Sequence, residues 1–597
     1  MSKTHHQRGL TLLCAGFAVL VGSVVGCRSP FAQERADEIL RQSVRRSIDR
    51  ELEQLTAEGA TRETFAEPSE VERELAERRQ ELDEISPAMP GDPRAPLQRD
   101  LEGQPQDEMV LNLESAITAA VSHNLGIQQS RLLPAIREAD VVAAEAVFDV
   151  LLYANASLSR IDEPTAVPTL MGIPLGQAVQ RSQTDVWETG VRKLLTTGGE
   201  VTLSTDFTRF DARGLTTFAP DPAYTSAFRL RYTQPLLRGA GADVNTATIR
   251  LSRNEERRSI QDVRVELLNL IADTETAYWQ LVFSWQNLAI QVWLVEVGEE
   301  VARQLELRQE YDTLPAEFAD AIATVEQRKA DVIRARRAIR SSSDTLKVLL
   351  NDPALPIGGE TVLVPADALI EAPITFSLRE SLITAMQNRP EVQQAILNID
   401  DATIRQALAD NSRLPVLNAS AELGYIGLAD SPGGAYENAL DDSFIDWIIG
   451  LAFEMPIGNR EAEARYRQAR LQRTSSVIAY RQTIQQIILD VKSALRDVVT
   501  NYELIQATRS FRIAQAENLR QLEIEQSTIG DLRPESLNLK FQRQETLAFA
   551  RQEELQALVN FDSAIANLYR ATGIGLEMNN INVEIISAPA DANANDR

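Results

Sequence analysis

The sequence predicts a mainly α-helical chain with a small membrane-grade β-sheet, built from two copies of one unit: helix, strand, strand, long helical hairpin. Three observations carry this. Strands with one greasy face run directly into long polar helices at two places in the chain. A stretch beginning at Leu111 aligns without gaps on one beginning at Phe376. Helix formers dominate residues 245–350 and 459–570.

The junction is clearest between Asp446 and Arg473. Trp447, Ile449, Leu451, Phe453 and Met455 alternate with Ile448, Gly450, Ala452 and Glu454. A period of two belongs to a strand with two unlike faces. It stops at Pro456, which cannot donate to a sheet ladder, and beyond Gly458-Asn459 the residues turn to Glu, Ala, Arg and Gln, all good helix formers. The earlier junction has the same form. Phe228, Leu230 and Tyr232 alternate with Arg229 and Arg231, then Pro235 leads through Leu236-Leu237-Arg238-Gly239 into a helical run.

The duplication precedes each junction. Leu113 matches Leu378, Ala120 matches Ala385, Ile127 matches Val392, and Gln128-Gln129 matches Gln393-Gln394. Leu113 to about Val147 is expected to be helical, with a kink at Pro134. A strand follows in each copy. Ala154, Ala156 and Leu158 alternate with Asn155, Ser157 and Ser159 in the first; Leu417, Ala419, Ala421, Leu423 and Tyr425 alternate with Asn418, Ser420 and Glu422 in the second. Alternation over about ten residues is what a transmembrane barrel strand needs. A soluble sandwich strand alternates too, but the chain has few other strands with which to build a soluble core. The first repeat is longer by about 44 residues, around Asp185–Phe210. Two alternating runs there flank Thr197-Gly198-Gly199, a good hairpin turn, and the sequence leaves open whether this hairpin joins the sheet.

Past each proline come the longest helices. Asn245 to Tyr311 is interrupted only by Gly298, which is ~100 Å of helix at 1.5 Å per residue. Leu267, Leu270, Thr274, Ala277, Leu281 and Leu288 fall at alternating three and four spacing, as do Ile484, Ile487, Val491, Leu495, Val498 and Tyr502. That spacing fits coiled-coil packing. The hairpins turn at Tyr311–Pro315 and Gly530–Pro534, and their return helices end near Leu349 and Leu568.

The order, duplication and spacing of these parts resemble the outer-membrane efflux protein (TolC) family over roughly residues 109 to 575. Four candidate strands cannot close a membrane barrel, whose smallest form has about eight, and open edges are not tolerated in hydrocarbon. Several chains must therefore share one barrel. The resemblance implies a homotrimer with twelve strands, or eighteen if the extra hairpin joins, and an α-helical tunnel continuous with the barrel. It implies a passive exit duct through the outer membrane, working with a periplasmic adaptor and an inner-membrane pump. Type I secretion ducts share the architecture, and the exported substrate is not written in this chain. The resemblance puts Tyr311, Asp312, Gly530, Asp531 and Leu532 near the tunnel mouth and adaptor contact, and makes Pro235 and Pro456 the strand-to-helix junctions. Three aspartates in a ring attract cations and resist closure, with Arg533 as a bridging partner. The plainer reading of Asp and Gly there is turn chemistry.

Ahead of the repeats, Lys3 and Arg8 precede an apolar run from Leu10 to about Val25, too short to span a bilayer and shaped like a signal peptide. It closes on Val24-Val25-Gly26-Cys27, which resembles a lipoprotein cleavage box, so Cys27 is expected to carry a covalent lipid. The expected segments are a signal peptide over 1–26, a lipidated and partly helical tether over 27–108, the first repeat over 109–353, the second over 354–575, and a tail over 576–597. The tether is too poor in apolar residues for a core of its own.

The remaining composition excludes other classes. A net charge of -26 without a basic cluster argues against nucleic acid and reads as a solvated helical surface. No catalytic motif, cofactor fingerprint or metal-ligand spacing is present. His123 aligns with Asn388, which makes it a helix-end polar residue rather than a ligand. The competing reading is a lipid-anchored coiled-coil scaffold that transports nothing. It accounts for the helices and Cys27 but not for the paired amphipathic strands.

Overall fold

The computed structural model describes residues 62–63, 69–79, 81–82 and, between 97 and 582, all but 98, 102, 165, 167–168, 175–178, 214–218, 309–313, 442–443 and 530–532. Its strands are β1 (Arg62–Glu63), β2 (Glu108–Leu111), β3 (Val150–Pro164), β4 (Thr169–Leu170), β5 (Ile173–Pro174), β6 (Val179–Leu194), β7 (Glu200–Arg213), β8 (Ala223–Pro235), β9 (Val362–Pro365), β10 (Thr375–Phe376), β11 (Val416–Ala429) and β12 (Ile445–Glu454). Its helices are α1 (Glu70–Glu74), α2 (Leu113–His123), α3 (Leu125–Glu145), α4 (Ala242–Asn245), α5 (Ala247–Leu307), α6 (Pro315–Leu350), α7 (Leu378–Asn388), α8 (Pro390–Asn411), α9 (Pro432–Leu440), α10 (Arg460–Ile529), α11 (Pro534–Thr572) and α12 (Gly575–Met578).

The duplication is visible element by element. Helices α2 and α7 are both 11 residues long, each capped by a side-chain oxygen, of Asn112 and of Ser377. Their successors α3 and α8 have 21 and 22 residues. The hairpin helices are α5 and α6, of 61 and 36 residues, and α10 and α11, of 70 and 39.

One expectation fails in this part. The stretch from Leu113 is not one helix: Pro134 lies inside α3, and the break comes at Asn124. That residue turns extended (φ -56, ψ 128). Its side-chain oxygen accepts from the amides of Gly126 and Ile127, while its amide donates to the Leu349 carbonyl at 2.9 Å. In the second copy the break falls at Arg389, the residue before Pro390, where proline disfavours helical backbone.

The described residues form two compact units. Ala139–Asn254 with Asn398–Val477 form the first, and those within Leu52–Glu138, Glu255–Leu397 and Ile478–Arg597 the second. The first is built on a six-stranded sheet in the order β12-β11-β8-β7-β6-β3, antiparallel throughout. The extra hairpin β6–β7 is therefore inside the sheet, and each chain supplies six strands rather than four. Its turn needs glycine. Gly198 has φ +87, and a Cβ there would lie 2.4 Å from the Gly239 carbonyl oxygen.

In the second unit, β2 pairs in parallel with β9 and covers the middle of α5. Tyr278 and Trp285 are buried there. The Tyr278 hydroxyl donates toward the Leu111 carbonyl and Asp367 Oδ2 at 3.1 and 2.7 Å, and Trp285 Nε1 donates to the Leu363 carbonyl at 2.9 Å. The positions expected to pack are buried, Leu267, Leu270, Thr274, Leu281 and Leu288 on α5 and Ile484, Ile487, Val491, Leu495 and Val498 on α10. Around residues 267–288, however, α5 is enclosed on more than a coiled-coil stripe. Ile271, Trp279 and Val282 are buried as well, in a cluster to which the β2–β9 pair and α2 add a second wall.

Candidate functional site

Pairing register sorts the side chains of the sheet onto two unlike faces. Leu152, Val191, Leu203, Leu230, Leu423 and Trp447 are successive partners across all six strands, a row of apolar side chains from one edge to the other. The neighbouring row is Val150, Lys193, Val201, Tyr232, Ala421 and Ile449. Its one charge, Lys193, is the penultimate residue of β6, where a long stem lets the ammonium reach the edge of an apolar band. On β12 this face is bare: Trp447, Ile449 and Leu451 are 71, 75 and 73% exposed. A continuous apolar surface of this extent marks contact with lipid or another chain.

The opposite face is polar across its four middle strands, with Leu151 and Ile448 on the two edge strands. Arg192, Thr202, Arg231 and Glu422 are cross-strand partners, as are Gly190, Ser204, Arg229 and Gly424. Arg231 Nη2 lies 2.8 Å from Glu422 Oε2, Arg229 Nη1 lies 3.3 Å from Asp206 Oδ1, and the Tyr153 hydroxyl donates to Glu188 at 3.0 Å. Apolar residues on one face and paired charges on the other are the arrangement of a membrane barrel wall around water.

At the far end of the apolar face sits α9. Tyr436 stacks on Phe207 at 6.1 Å and tilts against Phe228 at 5.7 Å. Gly427 allows this, since a Cβ there would fall 2.1 Å from the Ala435 carbonyl oxygen.

Both strand-to-helix junctions are tied to the corner between α8 and β11. Pro235 ends β8 opposite Asn418, and beyond it the Gly239 amide donates to Asn411 Oδ1 at 2.8 Å. Pro456 follows β12, and Asn459 Nδ2 donates to the Arg413 carbonyl at 2.9 Å. Arg413 in turn lies 2.8 Å from Glu463 and over the ring of Tyr466 at 4.5 Å. Sequence reading singled out the prolines; the clamps, Asn411 and Arg413, it missed. Their signal was an Asn and an Arg at the start of a strand, too common to stand out.

Residues 382–574 match the outer membrane efflux protein family. The matched stretch lies within the second repeat, so the chain is similar to that family there. The fold agrees with solved outer membrane channels. The CmeC channel of Campylobacter jejuni is 16% identical with a TM-score of 0.56, over 78% of this chain and 86% of that one. The open-state MtrE channel of Neisseria gonorrhoeae is 18% identical, TM-score 0.53, over 78% and 89%. The VceC outer membrane protein of Vibrio cholerae is 14% identical, TM-score 0.54, over 77% and 96%. No curated protein is significantly similar in sequence. Among the described residues no His, Cys, Asp and Glu cluster is arranged to hold a metal.

Cys27, Tyr311, Asp312, Gly530, Asp531 and Leu532 lie outside the described residues. The helices flanking the turns begin as expected, α6 at Pro315 and α11 at Pro534. His123 ends α2 as Asn388 ends α7. An open groove of about 650 Å³ in the second unit is lined by Arg389, Glu391, Asp490, Asp497 and Arg570 among others. Its charges are satisfied locally: Arg389 lies 2.5 Å from Glu391 and 3.2 Å from Asp490. Burial pushes the Glu391 carboxyl up, but Arg389 outweighs it and holds the group below its ordinary range.

Proposed function

We propose that three copies of this efflux protein close one outer-membrane barrel and form the passive exit duct of a tripartite efflux or type I secretion system. The observation that carries this is the two-faced sheet with both edges open: β3 and β12 each have one neighbour. A strand edge in hydrocarbon must be paired. Successive strands in the sheet alternate in direction, so β12 of one copy meets β3 of the next antiparallel, a head-to-tail contact that closes into a ring. Three chains of six strands give eighteen. The apolar rows then face lipid, and the Arg229, Arg231, Asp206 and Glu422 network lines the water-filled bore.

In this reading Cys27 is lipidated after removal of residues 1–26, and residues 27–108 connect the anchor to the repeats. The lipid on that one end is an auxiliary anchor beside a barrel that itself spans the membrane. Tyr311, Asp312, Gly530, Asp531 and Leu532 sit at the periplasmic mouth, where a periplasmic adaptor binds, and an inner-membrane pump supplies energy. The test is electron microscopy of the detergent-solubilised protein. A three-fold particle with eighteen strands supports the reading. Monomers, or a ring that leaves β6 and β7 out of the wall, refute it.

A further inference from the structure

The segment from Ser69 to Leu82 has no part in the duct, yet it is built onto the coil. It opens with a reciprocal cap, in which Ser69 and Glu72 each bond the other's backbone amide. It then runs alongside α10 in the same direction. Ser510 Oγ donates to Ser69 Oγ at 2.8 Å, Arg78 Nη1 lies 3.4 Å from Glu517 Oε1, and Arg520 Nη2 lies 2.8 Å from Glu81 Oε1. Leu82 is fully buried in a cluster with Ile513, Ala516 and Leu519 of α10 and Leu547 of α11, against which Val71, Leu75 and the α5 residue Trp293 pack.

Residues 513, 516 and 519 form one apolar stripe of α10, bordered by Glu517 and Arg520. The segment that fills it contains a five-residue helix, too short to persist in water by itself, so its structure depends on the stripe. Its ion pairs are half exposed on the segment's side, at 52% for Arg78 and 52% for Glu81, and such pairs hold weakly. Leu82 is the main attachment.

We propose that this stripe is a helix-docking surface and that residues 69–82 are its resident, displaceable occupant. The partner it fits is an amphipathic helix of a periplasmic protein, with apolar residues at i and i+4 like Val71 and Leu75 and a basic then an acidic residue to meet Glu517 and Arg520. The proposal rests on the duct reading for its biological partner. The tether keeps the strap at millimolar effective concentration, so a partner binds only in proportion to the fraction of chains whose strap is off. The strap thereby sets the threshold for docking.

The test uses the full-length oligomer in detergent and a fluorescent peptide of residues 66–84. Leu75→Glu with Leu82→Glu releases the strap, and the released protein is expected to bind the peptide at least tenfold more tightly than the unaltered protein. Adding Glu517→Arg weakens that binding, and a peptide with Arg78→Glu restores it. Equal binding by the two proteins, no binding to the released one, or indifference to Glu517→Arg each overturn the proposal. If the glutamate variants fail to form the oligomer, the milder Leu82→Ala, which removes most of the main attachment, releases the strap instead. Conductance of the same preparations in planar bilayers separates the two readings: peptide competition without conductance sinks the duct and leaves the strap standing.

Discussion

Placing an arginine at Leu451 tests which face of the sheet meets lipid. Leu451 stands on the apolar face of β12, 73% exposed, with Ala419 as its cross-strand partner. A guanidinium on the lipid face of a barrel costs about 2–4 kcal/mol near the midplane. Three copies in one barrel raise that to about 6–12 kcal/mol per assembly, comparable to the whole stability of an ordinary domain. The control is Ser420→Arg, next along β11 from Ala419 but on the opposite, polar face, opposite Gly450. There the charge enters water and costs little. The assay is the yield of SDS-resistant oligomer in outer-membrane fractions, with heat dissociation to confirm its size. Leu451→Arg is expected to abolish the oligomer while Ser420→Arg keeps it. Equal yields from both variants would refute the assignment of faces.

Three further outcomes follow from single residues. Gly198→Ala puts a Cβ at φ +87 and 2.4 Å from the Gly239 carbonyl; the left-handed backbone alone costs about 1–2 kcal/mol, and a lower heat-dissociation midpoint of the oligomer reads it. Trp285→Phe removes the donor to the buried Leu363 carbonyl, leaving an unpaired acceptor at about 1–3 kcal/mol, seen as a fall in Tm by circular dichroism at the helical signal. Asp562 is 3% exposed, accepts from the Ile370 amide at 3.2 Å, and burial pushes its carboxyl from 3.8 up to about 7. Between these values the unfolded chain releases its proton before the folded one does, so stability falls as pH rises through this window and levels off above it. Asp562→Asn is expected to flatten that slope; an unchanged pH profile of Tm rules out the buried acid as its source.

The alternation in β3, β8, β11 and β12 was legible because a membrane strand shows both faces within ten residues, and every alternating set named from sequence lies on one face in the structure. The strand order was not legible. β8 pairs with β11 across almost 200 positions of chain, and no local pattern encodes which edge a hairpin joins. The Asn124 break had a signal that was passed over: the ungapped alignment places Asn124 on Arg389, the residue before Pro390, so the second copy marks the corner that Pro134 does not. The docked strap left no trace of its own, since Val71, Leu75 and Leu82 are three apolar residues in a charged stretch and the surface they cover belongs to another part of the chain. Of the site, the two faces of the sheet could be read residue by residue; the Asn411 clamp joins the two repeats, and the Arg413 clamp joins two ends of the second repeat 46 residues apart, so neither is written in a local pattern.

The two open edges of the sheet dictate how assembly must proceed. A lone chain has two unpaired edges, and joining a second copy consumes one from each partner, so a dimer still has two. A linear trimer has two as well. Each junction lowers the number of open edges per chain, but every open assembly keeps two adhesive edges of exposed amides and carbonyls, and in the proposed ring only closure takes the count to zero. In the proposed assembly every intermediate therefore remains able to add a further chain, and excess chains either complete a ring or stack edge to edge into aggregates. If the ring is the proposed trimer, cells making this protein need to keep free chains dilute, or escorted, until the third copy arrives.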